Sequence, residues 1–365
     1  MYLTIPGEIR PLLSGRFGHS SRTFTLAAVL ATCLFAPAVG ADMETTLIPQ
    51  TRWTNLFPDR DVTFAFEIKS DIALQGELHL SLVASGRKLV SARTAVKVDA
   101  KKSAVVELML HTPPLKEGGE LACHVVARLI QENKPDANTE LSWHAWLFAA
   151  DPFHDQRQWL KKLDIVLWDP EGDSAKWLEG AEIPFTLLTQ KRLLEQRSSG
   201  VLLIAEGLAI QSDRTLASAL IEAARRGVCV ICLAPADGRF SLDDALEDES
   251  LLRRFTLQRE EFITQLDKRL DAAIWSRGNK MATSGVTLAS ERGQVVVQVG
   301  PAAKSFPWLE MQFPAAQGRL IVCGWGIVRH WDETPAPRYF LKKLLETVGP
   351  ASNADQPREE QPVEK

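Results

Sequence analysis

The sequence predicts a multidomain protein in which an N-terminal all-β sandwich is followed by an α/β three-layer domain with a mainly parallel sheet. Three observations support this prediction. The chain has 365 residues, which suggests about two domains. Apolar and polar side chains alternate at period two up to residue 150, as half-buried strands do. From residue 163 onward, nearly continuous apolar strand runs alternate with amphipathic helical segments, a pattern typical of parallel sheets covered on both faces.

Residues 1–41 have the features of an export signal. The positively charged residues that precede its apolar run are Arg10, Arg16 and Arg22. The run from Phe24 to Val39 is uncharged, Pro37 interrupts it, and small residues precede a predicted cleavage ahead of Asp42. We therefore expect an exported protein, periplasmic or extracellular after signal peptide cleavage. The alternative is an uncleaved signal anchor, although the run is short for a spanning helix.

Residues 42–150 are predicted to form the β-sandwich. Clusters of Asn, Asp, Gly and Pro separate short segments of alternating hydrophobicity, and strands at this spacing are typical of a sandwich. The predicted strands are 62–68, 78–82, 105–110, 123–130 and 143–148. Three tryptophans, Trp53, Trp143 and Trp146, are expected in the core, with a surface patch as the alternative.

Residues 151–162 are predicted to be a connector, and residues 163–348 the α/β domain. The predicted strands are 163–168, 183–189, 200–205, 228–233, 288–290, 295–299, 309–313 and 318–324. The predicted helices are 174–179, 215–226 and 337–348, together with the charged segment 241–270. The polar residues 349–365 are predicted to be a disordered tail.

Cys229 and Cys232 form a C-x-x-C string that invites a redox interpretation. The string lies inside the apolar run 228–233, and strand residues three apart point to opposite faces of a sheet. A redox pair needs its first cysteine at a helix N-terminus, where the thiolate is stabilised. Buried inert thiols are therefore favoured. The sequence shows no Cys and His cluster with metal-ligand spacing, and no metal or other cofactor is expected.

The C-terminal region resembles the class I glutamine amidotransferase-like fold, which is flavodoxin-like. The resemblance rests on the strand 200–205, on the helix 216–227 with the strand 228–235, and on 318–324 followed by Trp331. It is closest to the non-catalytic versions in bacterial β-galactosidase middle domains and in exported planctomycete-type proteins. The sandwich resembles the immunoglobulin-like domains that precede such modules. The resemblance implies a degenerate amidotransferase-like domain.

An active member of that family places a cysteine on a sharp elbow after a strand, flanked by glycines. Cys232 is the tempting match, but Val230 and Ala234 stand where glycines are needed for close backbone approach. Pro235 or Ala236 is the better prediction for the turn itself. No catalytic residue is therefore assigned, although a nucleophilic Cys232 remains the alternative.

The same family places a histidine and a glutamate two residues apart after the late strand. Here His330 precedes Asp332 by two residues, but both lie near the start of the last helix. Asp332 or Thr334 capping that helix is the simpler interpretation, with catalysis as the alternative.

Ligands of open α/β sheets bind at the carboxyl ends of the strands. The residues predicted to lie at that edge and to bind a ligand are Asp169, Glu206, Asp237 and His330. Further acids near Asp169, which are Asp164, Glu171 and Asp173, form either a group for a cation or sugar hydroxyls, or a solvated loop. The formal net charge of −4 and the absence of a basic stripe disfavour nucleic acid as a partner.

Three functions remain open on the sequence. The first is an exported non-catalytic binding or structural protein, with an unknown protein or glycan partner. The second is a hydrolase acting on amide or glycosidic bonds at the carboxyl edge of the sheet, which needs Cys232 or a carboxylate pair to be active. The third is a structural part of a larger envelope complex, with the segment 243–271 and the tail as docking elements.

Overall fold

The computed structural model describes residues 45–132, 134–194, 196–241, 252–271, 275, 280–289, 294–314 and 318–349. The predicted export signal, most of the predicted tail and the first part of the charged segment after residue 241 lie outside these residues.

Residues 45–148 form a sandwich of two antiparallel sheets. Its strands are β1 (Thr45–Pro49), β2 (Asn55–Leu56), β3 (Asp61–Ser70), β4 (Leu74–Ala84), β5 (Arg87–Val98), β6 (Lys102–His111), β7 (Glu120–Gln131) and β8 (Lys134–Phe148). One sheet has the order β1-β3-β6 and the other the order β2-β8-β7-β4-β5, with only the short β2 parallel to its neighbour. In β4 and in most of β7 every second side chain is buried between the sheets, because successive side chains of a strand point to opposite faces.

The sandwich core contains two of the three tryptophans expected there. Trp53 and Trp143 are buried, and the indole Nε1 of Trp143 donates a hydrogen bond to the carbonyl of Trp53 at 2.9 Å. Phe64 and Phe66 pack against the Trp143 ring with centroids 6.3 and 6.4 Å away. Trp146 is instead half-buried and packs against the core of the C-terminal region.

Strand β5 forms one edge of the five-stranded sheet and is mostly exposed. Its charged residues are Arg87, Lys88, Arg93 and Lys97, and it contains no acidic residue. The edge strand is therefore uniformly basic.

The C-terminal region, residues 157–349, is built on a seven-stranded mixed sheet. Its strands and those of a small second sheet are β9 (Ile165–Trp168), β10 (Thr186–Leu188), β11 (Val201–Ile204), β12 (Cys229–Leu233), β13 (Asp237–Ser241), β14 (Arg254–Gln258), β15 (Gly285–Ala289), β16 (Val295–Val299), β17 (Trp308–Gln312) and β18 (Arg319–Cys323). The helices are α1 (Arg157–Lys162), α2 (Asp173–Gly180), α3 (Arg214–Arg225), α4 (Phe262–Leu266) and α5 (Pro335–Val348). The large sheet has the order β10-β9-β11-β12-β18-β17-β14, and β13-β15-β16 form the small one.

Both faces of the large sheet are buried because its central strands are apolar on both sides. One face packs against α1, α2 and α5, with Phe340 and Leu344 among the buried contacts. The other face packs against α3 and against the small sheet, through residues such as Leu220 and Leu288. A β-sheet thus covers part of the face where only helices were expected.

The predicted fold class, a sandwich followed by an α/β three-layer domain with a mainly parallel sheet, is wrong. The residues that the structure describes are 45% strand and only 19% helix, and they form several small mixed sheets with no clear three-layer α/β domain. In the large sheet β17 pairs antiparallel with both β18 and β14. The charged segment 241–270, predicted to be helical, contains β14 and only the five-residue α4 among its described residues.

The sandwich and the C-terminal region contact each other through several polar groups. Asn55 Nδ2 donates to the carbonyl of Arg269 at 2.8 Å, and the Arg269 guanidinium pairs with Glu120. The Arg338 guanidinium donates to the carbonyls of Ala150 at 2.5 Å and of Trp331 at 2.8 Å. These bonds fix the junction that contains the clefts described next.

Candidate functional site

Asp169 follows β9, and its carboxylate accepts hydrogen bonds from backbone N–H groups at the beginning of α2. Its Oδ1 accepts from the backbone N–H of Gly172 at 2.9 Å, and its Oδ2 accepts from that of Ala175 at 2.7 Å. The turn between them needs the left-handed conformation of Gly172, whose φ is 83°. Because both oxygens bind backbone donors at a helix N-terminus, Asp169 acts as a helix cap in this structure.

Glu206 lies after β11 and its carboxylate holds the loop that precedes α5. One oxygen accepts from the N–H of Val328 at 2.7 Å and the other from the N–H of Arg329 at 3.2 Å. Burial raises the pKa of Glu206 above its ordinary value, and these backbone hydrogen bonds offset part of that rise. The carboxylate is thus buried but satisfied.

His330 is buried between this loop and the sandwich. Its Nδ1 lies 2.9 Å from the Glu333 carboxylate, while its buried Nε2 has no hydrogen-bond partner among the described residues. Gly326 lies against both His330 and Glu206, because a Cβ added to it would stand 3.0 Å from His330 Cδ2 and 3.4 Å from Glu206 Oε1. The chain therefore brings Glu206 and His330 together around Gly326.

The fourth predicted ligand-binding residue, Asp237, begins β13 in the small sheet. Its Oδ1 accepts from the N–H of Gln211 at 3.1 Å, so it fixes a different loop. Asp169 is linked to Glu206 through α2, since Ser174 Oγ accepts from the Glu206 N–H at 3.2 Å. The four predicted residues thus serve loop and helix contacts and do not converge on one cleft.

The carboxylates beside the last helix do not cap it through side-chain bonds. Asp332 accepts from the Arg338 guanidinium at 2.5 Å. Thr334 occupies the residue before α5, but its hydroxyl donates to the carbonyl of Trp275 and makes no cap hydrogen bond. The capping interpretation from the sequence is therefore wrong in its side-chain detail, although Thr334 does take the N-cap position.

The four cysteines in the described part of the chain are free and buried. Cys232 lies inside β12 with no exposed surface, and burial raises its pKa far above that of an ordinary thiol. Burial likewise raises the pKa of Cys323 to about 12. The sharp bend after β12 occurs at Ala234, whose φ is +34°, and not at Pro235 or Ala236 as predicted. No thiol stands on that bend.

Two adjoining clefts lie at the junction of the sandwich and the C-terminal region, and we call them together the junction groove. The first has a volume of about 640 Å³ and the second about 960 Å³. Asp332 lines both clefts. The first is lined by Trp53, Asn55, Leu56, Phe57, Arg60, Asp61, Val62, His330, Asp332 and Glu333. Of the four predicted binding residues, only His330 lines the groove.

The second cleft combines aromatic rings with charged groups. Its lining residues include Leu115, Glu117, Asp151, His154, Arg157, Trp177, Glu182, Trp331 and Arg338. Trp177 meets Trp331 edge to face, with ring centroids 4.1 Å apart. Arg157 pairs with Asp151 at 2.5 Å and with Glu182 at 3.1 Å. Sequence reasoning missed these residues because they come from a segment treated as a connector and from a helix treated as scaffold.

The groove offers hydrogen-bonding and stacking groups but no metal-binding cluster. Among the residues that the structure describes, no group of three or more His, Cys, Asp or Glu side chains is placed to hold a metal ion. In the same part of the chain no helix is both long and apolar enough to cross a membrane.

No protein-family profile and no curated protein sequence matches this chain. The similar solved structures are β-sandwich domains. PapD-like domain 7 of human CEP192 is 12% identical and aligns over 34% of this chain and 97% of its own, with a TM-score of 0.23. The CARDB domain of PF1109 from Pyrococcus furiosus is 10% identical over 29% of this chain and 93% of its own, with a TM-score of 0.21. The E. coli chaperone DraB is 10% identical over 29% and 55% respectively, with a TM-score of 0.21.

The resemblance to the class I glutamine amidotransferase-like fold is wrong, since the comparison finds no amidotransferase-like structure. The apolar strand segments on which it rested do form strands, but they belong to a mixed sheet partly covered by a second sheet. The sandwich of residues 45–148 is immunoglobulin-like, as predicted.

Proposed function

We propose that this chain is an exported, non-catalytic binding protein that holds a glycan in the junction groove. Export is supported by the sequence of residues 1–41. The single observation that carries the binding proposal is the second cleft, in which Trp177 and Trp331 stand beside the Arg157–Asp151 pair. Indole rings pack against the apolar faces of sugar rings, and carboxylate and guanidinium groups bond their hydroxyls.

A non-catalytic role is supported by what the candidate catalytic groups do. Asp169 and Glu206 bind backbone N–H groups, and neither lines the junction groove. Cys232 is buried inside a strand, and its raised pKa keeps it protonated. A hydrolase acting on amide or glycosidic bonds has less support, because it needs an exposed thiolate or two acids facing one substrate bond.

The proposal is tested by screening the mature chain on a glycan array and measuring the affinity of any hit by calorimetry. We expect Trp177→Ala to weaken binding by about tenfold or more, because it removes the more exposed of the two indole rings in the cleft. Phe262→Ala is the matched control, since Phe262 is also half-buried but packs on Trp308 outside the groove.

Two results count against the proposal. If the folded protein gives no hits on the array, a glycan is not its ligand. A protein partner is then the remaining alternative, and a pull-down with the same protein tests it. Binding that survives Trp177→Ala, or that falls equally in the control variant, removes the groove as its site.

A further inference from the structure

Two exposed histidines face each other on the outer surface of the sandwich. His124 on β7 and His144 on β8 are directly opposite in the antiparallel register of the five-stranded sheet. Their ring centroids are 4.1 Å apart and the ring planes meet at 49°. Both side chains point away from the sandwich core and are exposed.

This pair differs from the other histidines that the structure describes, each of which lies near a carboxylate. His79 contacts Glu77, His154 contacts Glu117, and His330 contacts Glu333. His111 contacts both Asp61 and Asp59. Within the described ranges, His124 and His144 make no hydrogen bond or ion pair, so their ring nitrogens are available to a ligand.

The adjacent strand positions around the pair are uncharged, although the Arg269 guanidinium lies 5.8 Å from the ring of Trp146. The neighbouring positions on the same face are Ala122 and Val126 on β7, Ser142 and Trp146 on β8, and Val83 across from His124 on β4. The nearest charged pair along the two strands is Arg128 with Glu140, which bond to each other at 2.5 Å. No carboxylate therefore occupies the positions next to either histidine on the outer face of β4, β7 and β8.

We propose that His124 and His144 form a bidentate site for a divalent transition-metal ion, with Cu²⁺ bound most tightly. Imidazole nitrogens bind such ions at about 2.0–2.1 Å, so both rings must present a nitrogen to one point between them. The two exposed rings are 4.1 Å apart, so rotation about their side-chain bonds is enough to bring one nitrogen of each ring to a shared metal ion. Imidazole ligands favour Cu²⁺ over Zn²⁺ and Ni²⁺ in the usual affinity order.

Two protein ligands leave the remaining coordination positions open to water or to a donor group from another molecule. Binding requires neutral imidazoles, so protons compete with the metal.

The test is calorimetric titration of the tag-free mature chain with CuCl₂ and with ZnCl₂ at pH 7.4, with electron paramagnetic resonance of the Cu²⁺ complex. We expect one Cu²⁺ per chain with two nitrogen ligands. His124→Ala and His144→Ala each lower the affinity by about tenfold or more, because the second imidazole then no longer binds within the same molecule. His79→Ala is the matched control, since it removes an exposed histidine of the same face and leaves the pair intact.

Each alternative result overturns the site. Absence of Cu²⁺ binding to the wild-type chain does so directly. So does equal Cu²⁺ binding by wild type and His124→Ala, or a spectrum unchanged by either substitution. Both positions are exposed, so unchanged thermal unfolding of the variants in the absence of metal separates lost ligation from lost fold.

Discussion

Glu206 connects the end of β11 to the loop before α5 through a buried carboxylate. Its two oxygens accept the N–H groups of half-buried Val328 and exposed Arg329. The loop also positions His330, which lines the junction groove. Glu206 thus stabilises one wall of the groove without lining it.

We expect Glu206→Ala to lower the free energy of unfolding by about 2 kcal/mol, because two backbone donors lose this acceptor and only the exposed Arg329 N–H can bond water instead. Glu206→Gln costs less, since its amide oxygen still accepts one of them. Denaturant unfolding measures both variants. Glu171→Ala, an exposed acid in the β9–α2 loop, is the control and stays within about 0.5 kcal/mol of wild type.

The raised pKa of Glu206 also predicts a pH dependence. A carboxyl whose pKa is higher in the folded state than its ordinary 4.5 contributes stability below pH 4.5 and loses it as the pH rises through the raised value. Glu206→Gln cannot ionise and therefore lacks this pH-dependent contribution. The difference in free energy of unfolding between wild type and Glu206→Gln should narrow as the pH rises from 4.5 through the raised pKa of Glu206. A difference that is constant with pH would contradict the assignment.

For individual residues, the sequence predicted burial better than it predicted the contacts that a side chain makes. The apolar run around Cys232 predicted a buried thiol, because local pattern determines strand position. The roles of Asp169 and Glu206 depend on which backbone N–H groups lie near each carboxylate. The donor to Asp169 Oδ2 is six residues away in the chain, and the donor to Glu206 Oε2 is 122 residues away. Such contacts leave no signal in local periodicity.

Helix α3 begins at a residue whose side chain satisfies its first turn. Asp213 Oδ1 accepts from the N–H of Thr215 at 3.1 Å, and the same carboxylate pairs with Lys191 at 2.8 Å. The hydrogen bond from Lys191 holds the pKa of Asp213 below its ordinary value. One residue thereby joins the helix start to the 3-10 turn that contains Lys191.

We expect Asp213→Ala to lower the free energy of unfolding by about 1 kcal/mol through loss of the cap. Asp213→Asn keeps the cap acceptor and loses only the exposed ion pair, so thermal unfolding should place it between wild type and the alanine variant.

Because the pKa of Asp213 is lowered, the ion-pair contribution is present above pH 3.8 and is lost as the pH falls through the lowered value. An asparagine variant as unstable as the alanine variant would assign the effect to Lys191.

The elements that the sequence predicted correctly are the strongly patterned ones. The runs around β9, β11, β12 and β18 are strands, and the helix predicted at 215–226 is α3 within two residues. The prediction for segment 241–270 was wrong because its charges suggested a solvated helix, whereas its described residues include the edge strand β14, in which only Arg254 is exposed. Edge strands carry charges for the same reason that surface helices do, so composition alone cannot separate them.

The sandwich and the C-terminal region are joined by the side chain of Arg338. Its guanidinium lies over the rings of Phe57 and Trp331, at 4.6 and 5.0 Å from their centroids. Burial lowers the pKa of Arg338 from its ordinary value, while Asp332 acts in the opposite direction. The side chain thus packs on Phe57 of the sandwich and bonds the carbonyl of Ala150, two residues after β8 ends.

We expect Arg338→Ala to lower stability by about 3 kcal/mol, because it leaves the carbonyls of Ala150 and Trp331 without donors and opens a gap beside Phe57. Scanning calorimetry should then resolve separate transitions for the two parts of the chain. Lys342→Ala, on the same helix but paired only with Glu346, should shift unfolding by less than about 1 kcal/mol. A single unchanged transition in Arg338→Ala would show that other contacts hold the junction.

The arrangement of strands and sheets in the whole molecule was harder to predict from the sequence than its individual residues or elements. Strand order in the large sheet and the packing of β13, β15 and β16 against its second face are set by contacts distant in sequence. The junction groove likewise exists only once the sandwich and the C-terminal region are in contact. Periodicity within short windows contains no information on these arrangements.

The basic edge strand β5 has a consequence for the behaviour of the protein in concentrated solution. If two molecules approached to extend one sheet into the next, Arg93 and Lys97 of each would face the cations of the other, and the repulsion opposes polymerisation. Dissolved ions screen such repulsion within about 10 Å at 0.1 M ionic strength. We therefore expect the cationic side chains of this edge to oppose edge-to-edge association most strongly in dilute electrolyte.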